Sequence, residues 1–175
     1  MTTNSSQARP TTRHVGAMTS TVKSDLEIVL RRVIDAPRQR VFEAFTRCEH
    51  IRRWWGLRNS TMTSCDMDFR PGGTWRYVTR EQDGAEYAFR GEYREIVPPE
   101  RIVQTFEFEG MPGAVSIDSM TLLEEDGRTT LISTSTFDSI EARDGMLQAG
   151  METGAAETYD RLEEFVKTMA MPDQD

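Results

Sequence analysis

The chain has 175 residues, 37% hydrophobic and 29% charged, which suits one globular core under a polar surface. A formal net charge of −8 and a pI near 4.9 exclude any general attraction to phosphate backbones, so no nucleic-acid partner is expected. No apolar run approaches the roughly 18 residues a membrane-spanning helix needs.

Residues 1–24 are rich in Ser and Thr and nearly free of large apolar side chains. They are expected to be a disordered tail, because they bury too little surface to offset ordering entropy. They also lack the apolar stretch of a secretory signal. Met18 offers a second candidate start. A single domain is expected over residues 25–169, followed by a frayed end at 170–175.

The domain opens with "LEIVLRRVI", a β-branched strand from Leu26 to Ile34. "DAPRQRVFEAFT" then predicts a helix, with Asp35 near its start and Pro37 in its first turn. Val41, Ala44 and Phe45 form its buried stripe. "EHIRRWWG" predicts a second short helix, with Ile51, Trp54 and Trp55 on one side and Gly56 at its end.

Strands follow. Ser60 to Asp68 is the first, and "DFRPGGTWRYV" leads to the next, Thr74 to Arg80. The Gly-Gly pair precedes a strand rather than a helix, so it is not a phosphate cradle. Pro71 and Gly72 fit the central positions of a type II turn. After "QDG", the stretch Ala85 to Val97 alternates: Tyr87, Phe89, Gly91 and Tyr93 share one face, Arg90, Glu92 and Arg94 the other. "PPE" breaks the chain before "RIVQTFEFEG". Val115 to Leu123 and Thr129 to Phe137 flank the turn "EEDGR". Ala142 to about Met169 predicts one long helix striped by Leu147, Met151, Ala155, Thr158, Leu162, Phe165 and Met169. Short turns make neighbouring strands antiparallel, and the last helix is left to cover the apolar sheet face.

Little in this order points to a dedicated chemistry. Cys48 and Cys65 have no CxxC spacing and are expected to be buried free thiols in a reducing cytoplasm. His50 and a tail residue, His14, are too few for a histidine metal site, and no metal or cofactor is expected. No G-x-S-x-G elbow occurs. Asp66 and Asp68 are expected on the solvent face, with Arg70 as a partner. Gly150 and Gly154, four apart, predict a close approach of the helix to sheet or ligand.

The segments "IDAPRQRVFEAFTRCEHIRRWWG", "DMDFRPGGTW", "GEYREIVPPERIVQTF" and "GMETGAAETYDRLEEFV" occur in an order and spacing that resemble the activator of heat-shock-protein-90 ATPase homologue family. That family is part of the START-like, or SRPBCC, superfamily. The resemblance spans about residues 26–167. It implies an α+β helix-grip fold, a curved antiparallel sheet wrapped around a long C-terminal helix. It also implies a cavity between them that often binds a hydrophobic small molecule. The eukaryotic activator that names the family has an additional N-terminal domain. Only a short polar segment precedes the first strand here, so co-chaperone activity is not carried over. Where relatives commonly have Gly-Trp in the last helix, this chain has Gly154-Ala155. A methyl in place of an indole would enlarge the cavity unless Met151 or Tyr159 fills the space.

The expected cavity wall is Trp54, Trp75, Tyr77, Phe89, Tyr93, Phe106, Met120, Met151 and Tyr159, with methionines adding adaptable surface. The expected function is binding of a small hydrophobic ligand, without a catalytic constellation. Two alternatives stand beside it. One is a cavity enzyme of aromatase/cyclase or lyase type, with Arg76, Arg90, Asp66 or tyrosines steering protons. The other is an interaction module, a chaperone partner or a homodimer using the exposed sheet face.

Overall fold

A computed structural model describes residues 9–169. The expected frayed end at 170–175 and the first eight residues of the expected tail lie outside the described residues. The fold is α+β and is built on one nine-stranded antiparallel sheet. In chain order the strands are β1 (Thr11–Val15), β2 (Met18–Val22) and β3 (Glu27–Ile34). Helices α1 (Arg38–Glu43) and α2 (Cys48–Trp54) come next. Six strands follow: β4 (Ser60–Met67), β5 (Thr74–Glu81), β6 (Glu86–Val97), β7 (Arg101–Phe108), β8 (Val115–Glu125) and β9 (Arg128–Thr136). Helices α3 (Ile140–Gln148) and α4 (Met151–Thr168) close the chain. The spatial order is β1-β2-β3-β9-β8-β7-β6-β5-β4, so β1 and β4 are the edges.

Turn chemistry sets the register. At "RPGG", the Gly73 N–H donates to the Arg70 carbonyl at 2.8 Å and Gly72 has φ +82, the geometry of a type II turn. A Cβ on Gly73 would fall 1.9 Å from the Asp68 carbonyl oxygen, so the turn admits no side chain there. Asp126 and Gly127, both at positive φ, make the two-residue turn that sets Glu125 opposite Arg128. Register then decides facing. Trp75 and Tyr77 on β5, Tyr93 on β6, Ile102 on β7, Met120 and Leu122 on β8 and Leu131 on β9 are buried at alternating positions of one sheet face. Leu162 and Val166 of α4 are fully buried in the same core.

Four expectations are corrected. Residues 9–24 are not a tail: β1 and β2 form a hairpin that adds to the sheet beside β3. Their low apolar content hid one strong anchor. Met18 is 0% exposed and packs with Ile28, Leu30, Phe137 and Ala156. The Ser20 hydroxyl adds a 2.7 Å hydrogen bond to Glu152 of α4.

The predicted long helix is two. Its stripe of apolar residues continues across the join, but Gly150 takes φ +87 and Ala149 ends α3, so the axis breaks between them. A Cβ on Gly154 would meet only Leu57, at 4.0 Å, so that glycine makes no close approach.

Cys48 and Cys65 are not free. They form a disulfide between the start of α2 and β4, with Cα atoms 5.8 Å apart. The helix lies against this edge strand and brings together two residues whose spacing, 17 apart, matches no motif. Free thiols therefore no longer argue for a reducing compartment. Among the described residues, no helix is long and apolar enough to cross a membrane.

Candidate functional site

Between the inner sheet face and α4 lies a cavity of about 620 Å³. Inward positions of β5 to β9, together with α2, the loop after it, and α4, supply the wall. All nine residues singled out from the sequence border it: Trp54, Trp75, Tyr77, Phe89, Tyr93, Phe106, Met120, Met151 and Tyr159. Gly154 and Ala155 border it too, beside Met151 and Tyr159.

The aromatic wall is a connected set. Trp55 meets Tyr77 and Phe89 edge-on, with ring centroids 5.1 and 5.0 Å apart. Trp75 lies 4.7 Å from Tyr77 and 6.0 Å from Phe106, and Phe89 lies 5.3 Å from Phe108. Gly91 makes this possible. A Cβ there would sit 2.0 Å from the Thr105 carbonyl oxygen and 2.5 Å from Trp75 Nε1, so only glycine lets the indole lie flat across β6. Trp54 is fixed from the other side, its Nε1 donating 2.9 Å to the Ala44 carbonyl. Ala149, Gly150 and Met111 are exposed members of the wall and mark where it meets solvent.

A polar cluster interrupts this surface. Asp118 on β8 stands opposite Gln104 of β7 and Ser135 of β9, while Met120 stands opposite Ser133. The Ser116 hydroxyl donates to the Asp118 carboxylate at 3.2 Å, and the Ser135 hydroxyl bonds to it as well. Burial pushes the Asp118 carboxyl up to about 6, against the lowering effect of those two serines. Tyr159 of α4 hydrogen-bonds Ser133; burial, abetted by the Asp118 charge, pushes its phenol up to about 12. Farther along, the hydroxyls of Tyr77 and Tyr93 share a hydrogen bond. Burial raises Tyr77 well above its usual range and Tyr93 to about 12.

Sequence reasoning missed this cluster and also missed Trp55, Phe108 and Phe137 as wall residues. The signal was present in parity: Ser116, Asp118, Met120 and Leu122 share one face of β8. The arginines suggested for proton steering lie elsewhere. Arg76 pairs with Glu109 at 2.8 Å and Arg90 with Glu107 at 2.7 Å, away from the cavity. Asp66 is exposed on β4, and Asp68 pairs with Arg70 at 2.8 Å, as expected. His50 is half-buried, 2.8 Å from the Glu43 carbonyl, with its ring tilted against Phe165 at 5.5 Å between centroids. Among the described residues, no three His, Cys, Asp or Glu side chains converge to hold a metal ion.

Solved structures share this architecture. A protein from Rhodobacter sphaeroides aligns with a TM-score of 0.80 at 22% identity, covering 87% of this chain and 99% of its own. One from Nitrosomonas europaea gives 0.75 at 21%, covering 83% and 97%. One from Chromobacterium violaceum gives 0.70 at 27%, covering 84% and 98%. No protein of curated function matches the chain. The family described as "Activator of Hsp90 ATPase homolog 1-like protein" matches residues 35–167, which takes in the site from α1 to α4, and the chain belongs to that family, within the START-like fold.

Proposed function

We propose that the protein binds a small, largely hydrophobic molecule in the cavity between the sheet and α4. The observation that carries this reading is a space of about 620 Å³ with an aromatic and aliphatic wall, interrupted by polar groups of which the set around Asp118 is the most connected. A volume and composition of that kind fit ligand sites in general. Apolar burial supplies the affinity, and the Asp118, Ser116, Ser135 and Tyr159 groups orient the ligand.

The test is titration with Nile red, a neutral dye that brightens in apolar surroundings. The native chain should bind it saturably. Ala155→Trp places an indole in the space beside Gly154 and should weaken binding by about tenfold or more. Equal binding by the variant would remove the cavity from the argument.

A second reading follows from Asp118. A carboxyl held near pH 6 beside a phenol is suited to general acid–base work on a bound molecule. Turnover of a bound compound that Asp118→Asn abolishes, with binding retained, would favour it over binding alone.

A further inference from the structure

The wall of the cavity is electrostatically one-sided. Its lining includes two carboxyl groups, Asp118 and Glu81, and, among the described residues, no arginine, lysine or histidine. The groups that surround Asp118 are neutral from every element packed against it. They are Ser116 on its own strand, Gln104 on β7, Ser133 and Ser135 on β9, and Tyr159 on α4. Arginines on the surrounding elements are engaged outside the wall. Arg76, Arg80 and Arg90 are paired with Glu109, Glu86 and Glu107, Arg32 is paired with Asp160 and Glu163, and Arg161 donates to the carbonyls of Gly56 and Leu57 at 2.9 and 3.1 Å.

A carboxylate has about four acceptor positions, and two serine hydroxyls leave some of them for a ligand. Burial without a counter-charge makes its ionised form costly, as the upward push to about 6 reflects. A cation within the cavity would offset that cost. The twelve aromatic side chains of the wall act in the same direction, because ring faces attract cations and repel anions. An anionic amphiphile would instead meet Asp118 and Glu81 as like charges.

Resting on the reading that the cavity binds a small molecule, we propose that its ligand is a hydrophobic organic cation, a protonated amine on an apolar or aromatic body, with Asp118 as counter-ion. The ammonium group occupies the acceptor sites left by Ser116 and Ser135, and the apolar body lies along Trp75, Phe89 and Phe106. Selection is by charge sign at one end and by apolar burial along the rest.

Three matched probes test this: phenylbutylamine, phenylbutanol and phenylbutyrate, each displacing Nile red from the full chain near neutral pH. The amine should displace the dye at a concentration at least about tenfold below the alcohol, with the carboxylate weakest. In Asp118→Asn the ratio of amine to alcohol should fall close to one. An alcohol or carboxylate within tenfold of the amine overturns the proposal, as does a folded Asp118→Asn that keeps the preference. If the variant does not fold, the ranking in the native chain decides alone. If neither Nile red nor any of the three probes binds, the cavity-binding reading itself fails and this inference with it. A neutral or anionic preference leaves that reading standing.

Discussion

Asp118 is one residue on which both stability and ligand choice turn. Its folded-state pKa of about 6 lies above the ordinary carboxyl value of 3.8. The neutral acid is therefore the form that folding favours. That contribution is fully present below about pH 4 and is lost as pH rises through 6. Replacing the carboxyl with an amide should relieve the native chain at high pH only. Asp118→Asn is expected to gain about 3 kcal/mol relative to the native protein at pH 8, the gain shrinking to nothing as pH falls toward 4. Thermal melts of both proteins across that range check it, and a difference independent of pH would contradict the assignment. The sequence carried the placement of Asp118 in its alternation with Ser116 and Met120. It did not carry the consequence, because a lone acid on a strand reads as surface until cross-strand neighbours are known. The aromatic positions were easier to read, since Trp75, Tyr77, Phe89 and Phe106 have no reason to face water together.

At the scale of elements, the hairpin of β1 and β2 was the largest part of the fold to escape the sequence. Composition averages over a segment, whereas a short strand needs a single buried anchor and a partner edge. Met18→Ala should cost about 2–3 kcal/mol in denaturant unfolding, the loss expected for a fully buried side chain. No change would return the segment to a loose tail. The join of α2 to β4 was equally invisible, because a disulfide depends on where two elements dock and not on spacing. Opening the Cys48–Cys65 bond frees a loop spanning 17 residues and should lower stability by about 2–4 kcal/mol. Melting with and without reductant measures this, and Cys48→Ser with Cys65→Ser should reproduce the reduced value. The division between α3 and α4 had a visible cue in Gly150. The apolar stripe continued past it, and a periodic pattern reports a face without reporting whether the axis is continuous.

For the whole molecule, the run from β3 to β9 was legible because each turn had its own chemistry and each strand its own alternation. The cavity was less so, since a void is a property of what side chains fail to fill. Ala155→Trp tests the trade between the two. Filling the space should raise thermal stability by about 1–2 kcal/mol while dye binding falls. A variant that melts lower would mean the indole finds no room. The sheet itself has a further consequence in its two margins, which no strand covers among the described residues. An unpaired strand invites another chain to pair with it and so seeds aggregation. At one margin β1 is only five residues long and mostly exposed, with Arg13 and His14 in its middle. At the other, the ladder between β4 and β5 shifts at Met62 and Ser64, and Cys65 is tied back to α2. A short polar rim on one side and a kinked, tethered rim on the other leave strand capture little to grip, so the hairpin that composition assigned to a tail also serves as the guard of an otherwise open sheet.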